Sequence, residues 1–355
     1  MSEQLPSVPV QLPESFQRLQ ASEIAAYIRQ WWQGDVHVHS EQSTRSGWNR
    51  AEGIYTVTEA TEYARKLGLT FTCFAEHSSD PGNPRTLTAD SPEAQSLLEQ
   101  ANRIYQLNKG QKKIAVLSGV EANIMLNRQG KPILDLPDAV LQQLDLVIGS
   151  RHALPVTQEK DPISIQQTLL YVIHSGVVDI IGHPDRYTRR DGKQPDDYWE
   201  SYWGLWPEVL VAMQQEHVAF ELNLNSQPSR KLVEMAAQAG VVFSINYDVH
   251  DFNQYKAERN SRDQRGELAK QRWSQERMSE EDRGAILAYK EYRLAEGPGI
   301  RATLRLVRWL RQLESYGVTS DRVMNSSRRN VLQFLTDRRG KSTANLRLLQ
   351  KVYSS

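Results

Sequence analysis

Six of the chain's eight histidines fall at the end of a short apolar run or just beyond it, and no other feature constrains the fold as strongly. The runs, at 35–39, 70–76, 114–120, 146–149, 179–182, 219–223 and 241–246, have the length and composition of buried strands. Amphipathic segments at 58–67, 92–107, 164–174, 202–216 and 229–238 lie between them and predict helices. Seven strand-then-helix units predict a parallel sheet. With no obvious edge strand among so many units, a closed α/β barrel is favoured over an open doubly wound sheet.

The histidines have a common address. His37 and His39 close the first run, His77 follows the second, His152 the fourth, His183 ends the fifth, and His250 follows the seventh. Glu121 ends the third run, and Asp248 lies two residues before His250. Alternate residues of a strand share a face, so His37 with His39, and Asp248 with His250, point the same way. In a parallel barrel all C-terminal strand ends meet at one rim. A single histidine at a strand end is ordinarily a hydrogen-bonded structural residue. Six of them with two carboxylates, at the same end of consecutive units, point instead to a shared metal site. Neutral imidazole and carboxylate are ligands for zinc, manganese or ferrous iron, and so many donors exceed one tetrahedral shell. His174 and His217 sit in predicted helices and read as structural.

In this order, His37-x-His39, Glu76-His77, Glu121, His152, His183-Pro184 and Asp248-x-His250 resemble the PHP (polymerase and histidinol phosphatase) superfamily. The resemblance runs from about Gly34 to His250 and resumes near 299–335. It implies a distorted (β/α)7 TIM-like barrel with two or three divalent ions at the rim. It further implies that His37, His39, Glu121 and Asp248 hold one ion, and that Glu121 bridges to a second held by His152 and His183. A third would use His77 and His250. Many relatives carry another histidine or an aspartate shortly after the H-x-H; this chain offers Glu41 and then Arg45. Either Glu41 substitutes, or the third site is weak, or Arg45 supplies a fixed positive charge in place of an ion. Glu76 before His77 is similar to the histidinol-phosphatase branch. Glu221-x-Asn223 resembles the family's E-x-N element, with substrate contact or support of the ligands as its alternatives.

The chemistry expected of such a rim is hydrolysis of a small-molecule phosphate ester by a metal-activated water. Glu121 and Asp248 are the candidate catalytic carboxylates, and Arg186 the candidate catalytic arginine and phosphate clamp. Arg151, Arg45 and Asn223 are further candidates for substrate contact, and an ion pair with Asp185 is the alternative for Arg186. A nuclease or nucleotide phosphatase is the second reading, prompted by Arg259, Arg262 and Arg265 at three-residue spacing. Glu258, Asp263 and Glu267 interleave with them, as on a solvated helix face. The third reading is a non-catalytic interaction module anchored by Trp203, Trp206 and Trp273, although a purely structural metal site needs fewer ligands. The run Tyr198-Trp199-Tyr202-Trp203-Trp206 is a candidate pocket wall, with core packing as its alternative.

Lysine plus arginine equals aspartate plus glutamate at 43 each, so no overall field draws the chain to nucleic acid or membrane. The one cysteine, Cys73, excludes an internal disulfide and suits a reducing cytoplasm. No apolar run is long enough to span a bilayer. Residues 1–13 read as a loose tail and 14–335 as the barrel domain, beginning with a helical extension at 14–32. A densely charged helical insertion occupies about 254–295, and a helix is expected at 302–316. The remaining residues, 336–355, read as a C-terminal extension.

Overall fold

The computed structural model describes residues 21–45, 53, 55–80, 84–110, 113–127, 129–152, 162–185, 203–250, 300–340 and 342–353. The tail at 1–13, the start of the first expected helix, the insertion at about 254–295, and Arg186 lie outside them.

All seven expected strands form and lie parallel in chain order. They are β1 (Gly34–Val38), β2 (Phe71–His77), β3 (Ala115–Leu126), β5 (Leu146–Ser150), β6 (Ile180–Gly182), β7 (Ala219–Asn223) and β8 (Phe243–Asn246). β4 (Pro132–Leu134) was not expected from the sequence; it pairs antiparallel with the overlong end of β3. Its three residues are too few to show a period.

The barrel closes between β8 and β1. A parallel bridge joins Val38 to Val249, with His39 N–H donating to Val249 O at 2.8 Å and Val249 N–H donating to His37 O at 2.9 Å. Lower on this seam, side chains replace the ladder. The Asn325 amide donates to the carbonyls of Gly34 and Ile245, and its oxygen accepts from Ile245 N–H. The result is a distorted seven-stranded (β/α) barrel.

Helices coat the outside: α1 (Ala21–Trp31), α2 (Gln42–Arg45), α3 (Val57–Lys66), α4 (Pro92–Gly110), α5 (Asp138–Leu141), α6 (Pro162–His174), α7 (Trp206–Gln215), α8 (Arg230–Gln238) and α9 (Ile300–Ser315). α3 begins in a capping box, Thr56 accepting from Glu59 N–H while Glu59 accepts from Thr56 N–H. No helix among the described residues is long and apolar enough to cross a membrane.

The strands are buried on both faces, and their two rows of side chains enter different cores. Phe74, Val116, Val120, Val147, Phe220, Phe243 and Ile245 pack outward under the helices. Phe71, Cys73, Ala75, Ala115, Leu117, Leu146, Ile148, Ile180 and Ala219 form the other cluster. Leu332 and Leu335 of α10 (Arg328–Arg339) and Leu346 and Leu349 of α11 (Ala344–Tyr353) complete that second core. On β2, β3 and β7 this apolar row has the same parity as His77, Glu121 and Glu221. The interior is thus apolar towards the strand N-termini and lined by potential ligands at the strand C-termini.

Candidate metal centre

Seven of the eight expected ligands are buried, and His250 is nearly so, its side chain being 11 % exposed. Glu121, at the centre, is wholly buried. Its Oε1 lies 2.9 Å from Nε2 of His152 and 2.9 Å from Nε2 of His183. Its Oε2 lies 2.9 Å from His77 Nδ1, 3.3 Å from His37 Nε2 and 3.6 Å from His39 Nε2. Asp248 Oδ1 faces the other side of the cluster, at 3.6 Å from His37 Nε2, 3.4 Å from His39 Nε2 and 3.0 Å from His250 Nε2. The rings of His39 and His250 stack at 4.2 Å, as do those of His39 and His77.

Among the described residues, three triads bring their donor atoms within 4.8 Å of one another: His39–His77–His250, His37–His39–Glu121 and His77–Glu121–His152. Nε2 of His37, Nε2 of His39 and Oε2 of Glu121 are buried yet make no hydrogen bond. Such atoms are costly to bury unless something else satisfies them. Inward-facing imidazole nitrogens and carboxylate oxygens fit a divalent cation.

The backbone bends to deliver two of these side chains. His183 has φ +25° and Asp248 φ +56°, conformations uncommon for residues other than glycine. Each lies just past a strand end, where the chain leaves the ladder and an extended residue would point elsewhere. A neighbouring constraint lies at Gly182, where a Cβ would sit 2.2 Å from Ser150 Oγ and 2.8 Å from Ile148 Cγ2.

Further polar residues hold the ligands from behind. Glu221 Oε1 contacts His37 Nδ1 at 2.6 Å and accepts from the Asn246 amide at 3.0 Å, while Oε2 accepts the His183 backbone N–H at 2.6 Å. The His152 Nδ1 meets Asn123 Oδ1 at 2.7 Å, and Asn123 is itself fixed by Asp135. Asp35 accepts the backbone N–H groups of His37 and Tyr247, each at 3.0 Å. Alternation along β3 and β7 already pairs Asn123 with Glu121 and Asn223 with Glu221. Nothing in the sequence marks Asn123 or Asp135 for these contacts.

Charge is arranged to suit ligation. Glu121 is held well below the usual carboxylate range: burial opposes this, but His152, His37 and His77 outweigh it. Asp248 is lowered in the same way, burial being overcome by His37 and His250. His39 is pushed well below the usual histidine range by burial and by His77 and His250. Burial also takes His77 down to about 4, against the pull of Glu121. His37 is the exception. Burial would lower it, but Glu221, Glu121 and Asp248 raise it well above its ordinary value.

The other candidates are placed less closely. Asn223 is buried at the end of β7, its oxygen accepting from Asn225 and Ser226 N–H and its amide donating to Glu221 Oε2 at 3.4 Å. Arg151 is 8 % exposed and directly precedes His152. Arg45 ends α2, but its side chain lies outside the described residues, as does all of Arg186. Asp185 accepts from Ser229 N–H at 2.8 Å, at the start of α8. Glu41 donates its backbone N–H to Tyr55 O. Trp206 is core, and Trp203 packs against that core with the Lys231 ammonium 4.4 Å from its ring centroid. The other aromatics of that run, with Trp273 and the arginines at 259–265, fall outside the described residues. His174 is exposed beside Glu216, and His217 occupies a turn at φ +50°.

The PHP domain model matches residues 35–225, more than half of the chain. Among curated proteins, the chain is 28 % identical over 256 residues to the DNA polymerase/3'-5' exonuclease PolX of Bacillus subtilis. That match covers 70 % of this chain but only 40 % of the relative's length. A probable phosphatase of Aliivibrio fischeri is 29 % identical over 227 residues, which is 61 % of this chain and 77 % of the relative. Among solved structures, a histidinol phosphate phosphatase from Lactococcus lactis, complexed with zinc, L-histidinol and phosphate, aligns with 17 % identity and a TM-score of 0.43. It covers 62 % of this chain and 89 % of that one, a likeness too distant to speak to substrate.

Proposed function

Because the chain belongs to the PHP domain family, we propose that it hydrolyses a phosphate ester, a small-molecule monoester first, at a centre of two or three divalent cations. One observation carries the reading. The wholly buried Glu121 carboxylate has His152 and His183 on one oxygen and His37, His39 and His77 on the other, the placement of a carboxylate shared between two cations. The relatives named as probable phosphatases support it.

His37, His39, Glu121 and Asp248 would hold one ion, with Glu121 reaching to a second on His152 and His183. His77 and His250, which form a triad with His39, would hold a third. Zinc, manganese and ferrous iron all suit this donor set. Bound there, the ions supply an acidified water and positive charge opposite the phosphoryl oxygens. The protein's own part is to keep six imidazoles facing inward and two carboxylates ionised at neutral pH. Arg151, which directly precedes His152, and Arg186 and Arg45, near the ligands in sequence, are the residues we assign to the phosphate oxygens. The unit responsible is the barrel at 14–335 with its insertion at about 254–295.

The test is phosphate release from an aryl phosphate by protein loaded with manganese or zinc, beside His39→Ala and Asp248→Ala. Both substitutions should abolish turnover. Turnover that persists in Asp248→Ala at unchanged metal content would sink the mechanism.

A phosphodiester substrate is the second reading, favoured by the 256-residue match to PolX. Metal-dependent shortening of a single-stranded oligonucleotide, with no release from monoesters, would put it first.

A further inference from the structure

Behind His39 lies a second buried carboxylate that no ligand role uses. Glu76 is 1 % exposed and its side chain leaves β2 on the face opposite to His77, towards α4. Five donors converge on it. Ser40 N–H reaches both oxygens at 3.2 and 3.0 Å, Ser40 Oγ reaches Oε1 at 2.5 Å, and Gln100 Nε2 reaches Oε1 at 2.7 Å. Ser43 N–H and Ser43 Oγ reach Oε2 at 3.2 and 2.5 Å. The Ser43 hydroxyl is the junction. It also accepts the His77 backbone N–H at 3.1 Å and lies 3.1 Å from His39 Nδ1.

Five donors face the Glu76 carboxylate, which therefore accepts throughout, and the single hydroxyl proton of Ser43 goes to it at 2.5 Å. With its hydrogen on Glu76, the Ser43 oxygen can only accept, as it does from His77 N–H, and His39 Nδ1 must carry a proton to meet it. A neutral imidazole has one N–H, and so Nε2 of His39 is left as a lone pair. This is the atom 3.4 Å from Asp248 Oδ1 and 3.6 Å from Glu121 Oε2, without a hydrogen bond of its own.

We propose that Glu76 and Ser43 are positioning residues for the metal centre, locking His39 into the tautomer whose Nε2 lone pair faces the ion. The inference rests on reading the cluster as a metal centre. Polar partners behind a ligand typically change metal affinity about 10- to 100-fold. Ser43 also ties β2 to the loop after β1, so one hydroxyl sets the ring of His39 and the backbone of His77 together.

The experiment uses full-length protein labelled with 15N-histidine, metal-free, with the His39 signals identified by their loss in His39→Gln. Long-range proton–nitrogen spectra should show His39 protonated on Nδ1 in the wild type. In Ser43→Ala, which removes one oxygen, and in Glu76→Gln, which keeps the volume, that tautomer should give way to a mixture. Zinc titration against a chelator should then weaken about 10- to 100-fold for the site that includes His39. Zinc held by His152 and His183 should be unaffected. A wild-type His39 protonated on Nε2, or a tautomer unchanged in both variants, overturns the proposal. So does equal weakening of every site, the mark of a general loss of structure. Wild-type protein that binds no zinc defeats the metal-centre reading and this inference with it. Wild-type binding matched by Ser43→Ala defeats this inference alone.

Discussion

Glu221 stands 2.6 Å from Nδ1 of His37 through one oxygen and accepts the backbone N–H of His183 at 2.6 Å through the other. One buried carboxylate therefore orients ligands from β1 and the end of β6 at once. Glu221→Gln keeps the shape but weakens the attraction to the imidazole. Zinc affinity should fall about 10- to 100-fold, with phosphate release falling in step. Chelator competition measures the first, and unchanged affinity would remove Glu221 from this role.

Asp248 carries its carboxylate on a left-handed backbone at φ +56°, which asparagine tolerates nearly as well as aspartate. Asp248→Asn should lower the melting temperature of the metal-free protein at neutral pH, because His37 and His250 favour the ionised carboxylate, and should cut phosphate release by more than about 100-fold. A variant that melts as wild type would show that the charge serves the chemistry alone.

Acid should destabilise the metal-free protein through its buried neutral histidines. His77 titrates near 4 when folded, against about 6.5 unfolded. Between those values the unfolded chain binds the extra proton, so stability falls as pH drops from about 6.5 to about 4 and is flat above that window. His37 acts in the opposite sense. Its raised value adds stability that is complete below about 6.5 and is lost as pH climbs through the folded value. Urea midpoints at pH 7 and pH 5 should therefore differ less in His77→Gln than in wild type.

Gly182 ends β6 directly before His183, with no room for a methyl group against Ser150 and Ile148. Gly182→Ala should cost about 1–3 kcal/mol by overpacking. The displaced strand end should also lower metal content more than an equally destabilising change elsewhere. Denaturant unfolding with metal analysis tests both.

Asn345 of α11 donates to Asp145 at 2.6 Å and to Val116 O at 3.0 Å, and accepts from Asn108 at 2.8 Å, all within buried surroundings. Asn345→Ala leaves those groups unsatisfied and should cost about 1–3 kcal/mol. Since α11 closes the mouth opposite the metal centre, turnover at low temperature should be near wild type. A large loss of turnover without loss of stability would contradict this placement.

The sequence by itself determined the seven strands, their parallel order and the gathering of six histidines and two carboxylates at one rim. Each strand is a short apolar run with a histidine or carboxylate near or just past its C-terminal end, and alternation carries those residues to one rim. Ala219–Asn223 matched its expected run residue for residue. Tertiary structure alone decided what stands behind the ligands. Ser43 and Asn123 meet His39 and His152 across loops and strands, with Glu76 and Asp135 holding them in turn, and such contacts leave no period in the chain. The same holds for the β1–β8 seam at Asn325 and for the plug formed by α10 and α11. There the partners lie far apart in sequence, and only closure of the barrel brings them within hydrogen-bonding or packing distance.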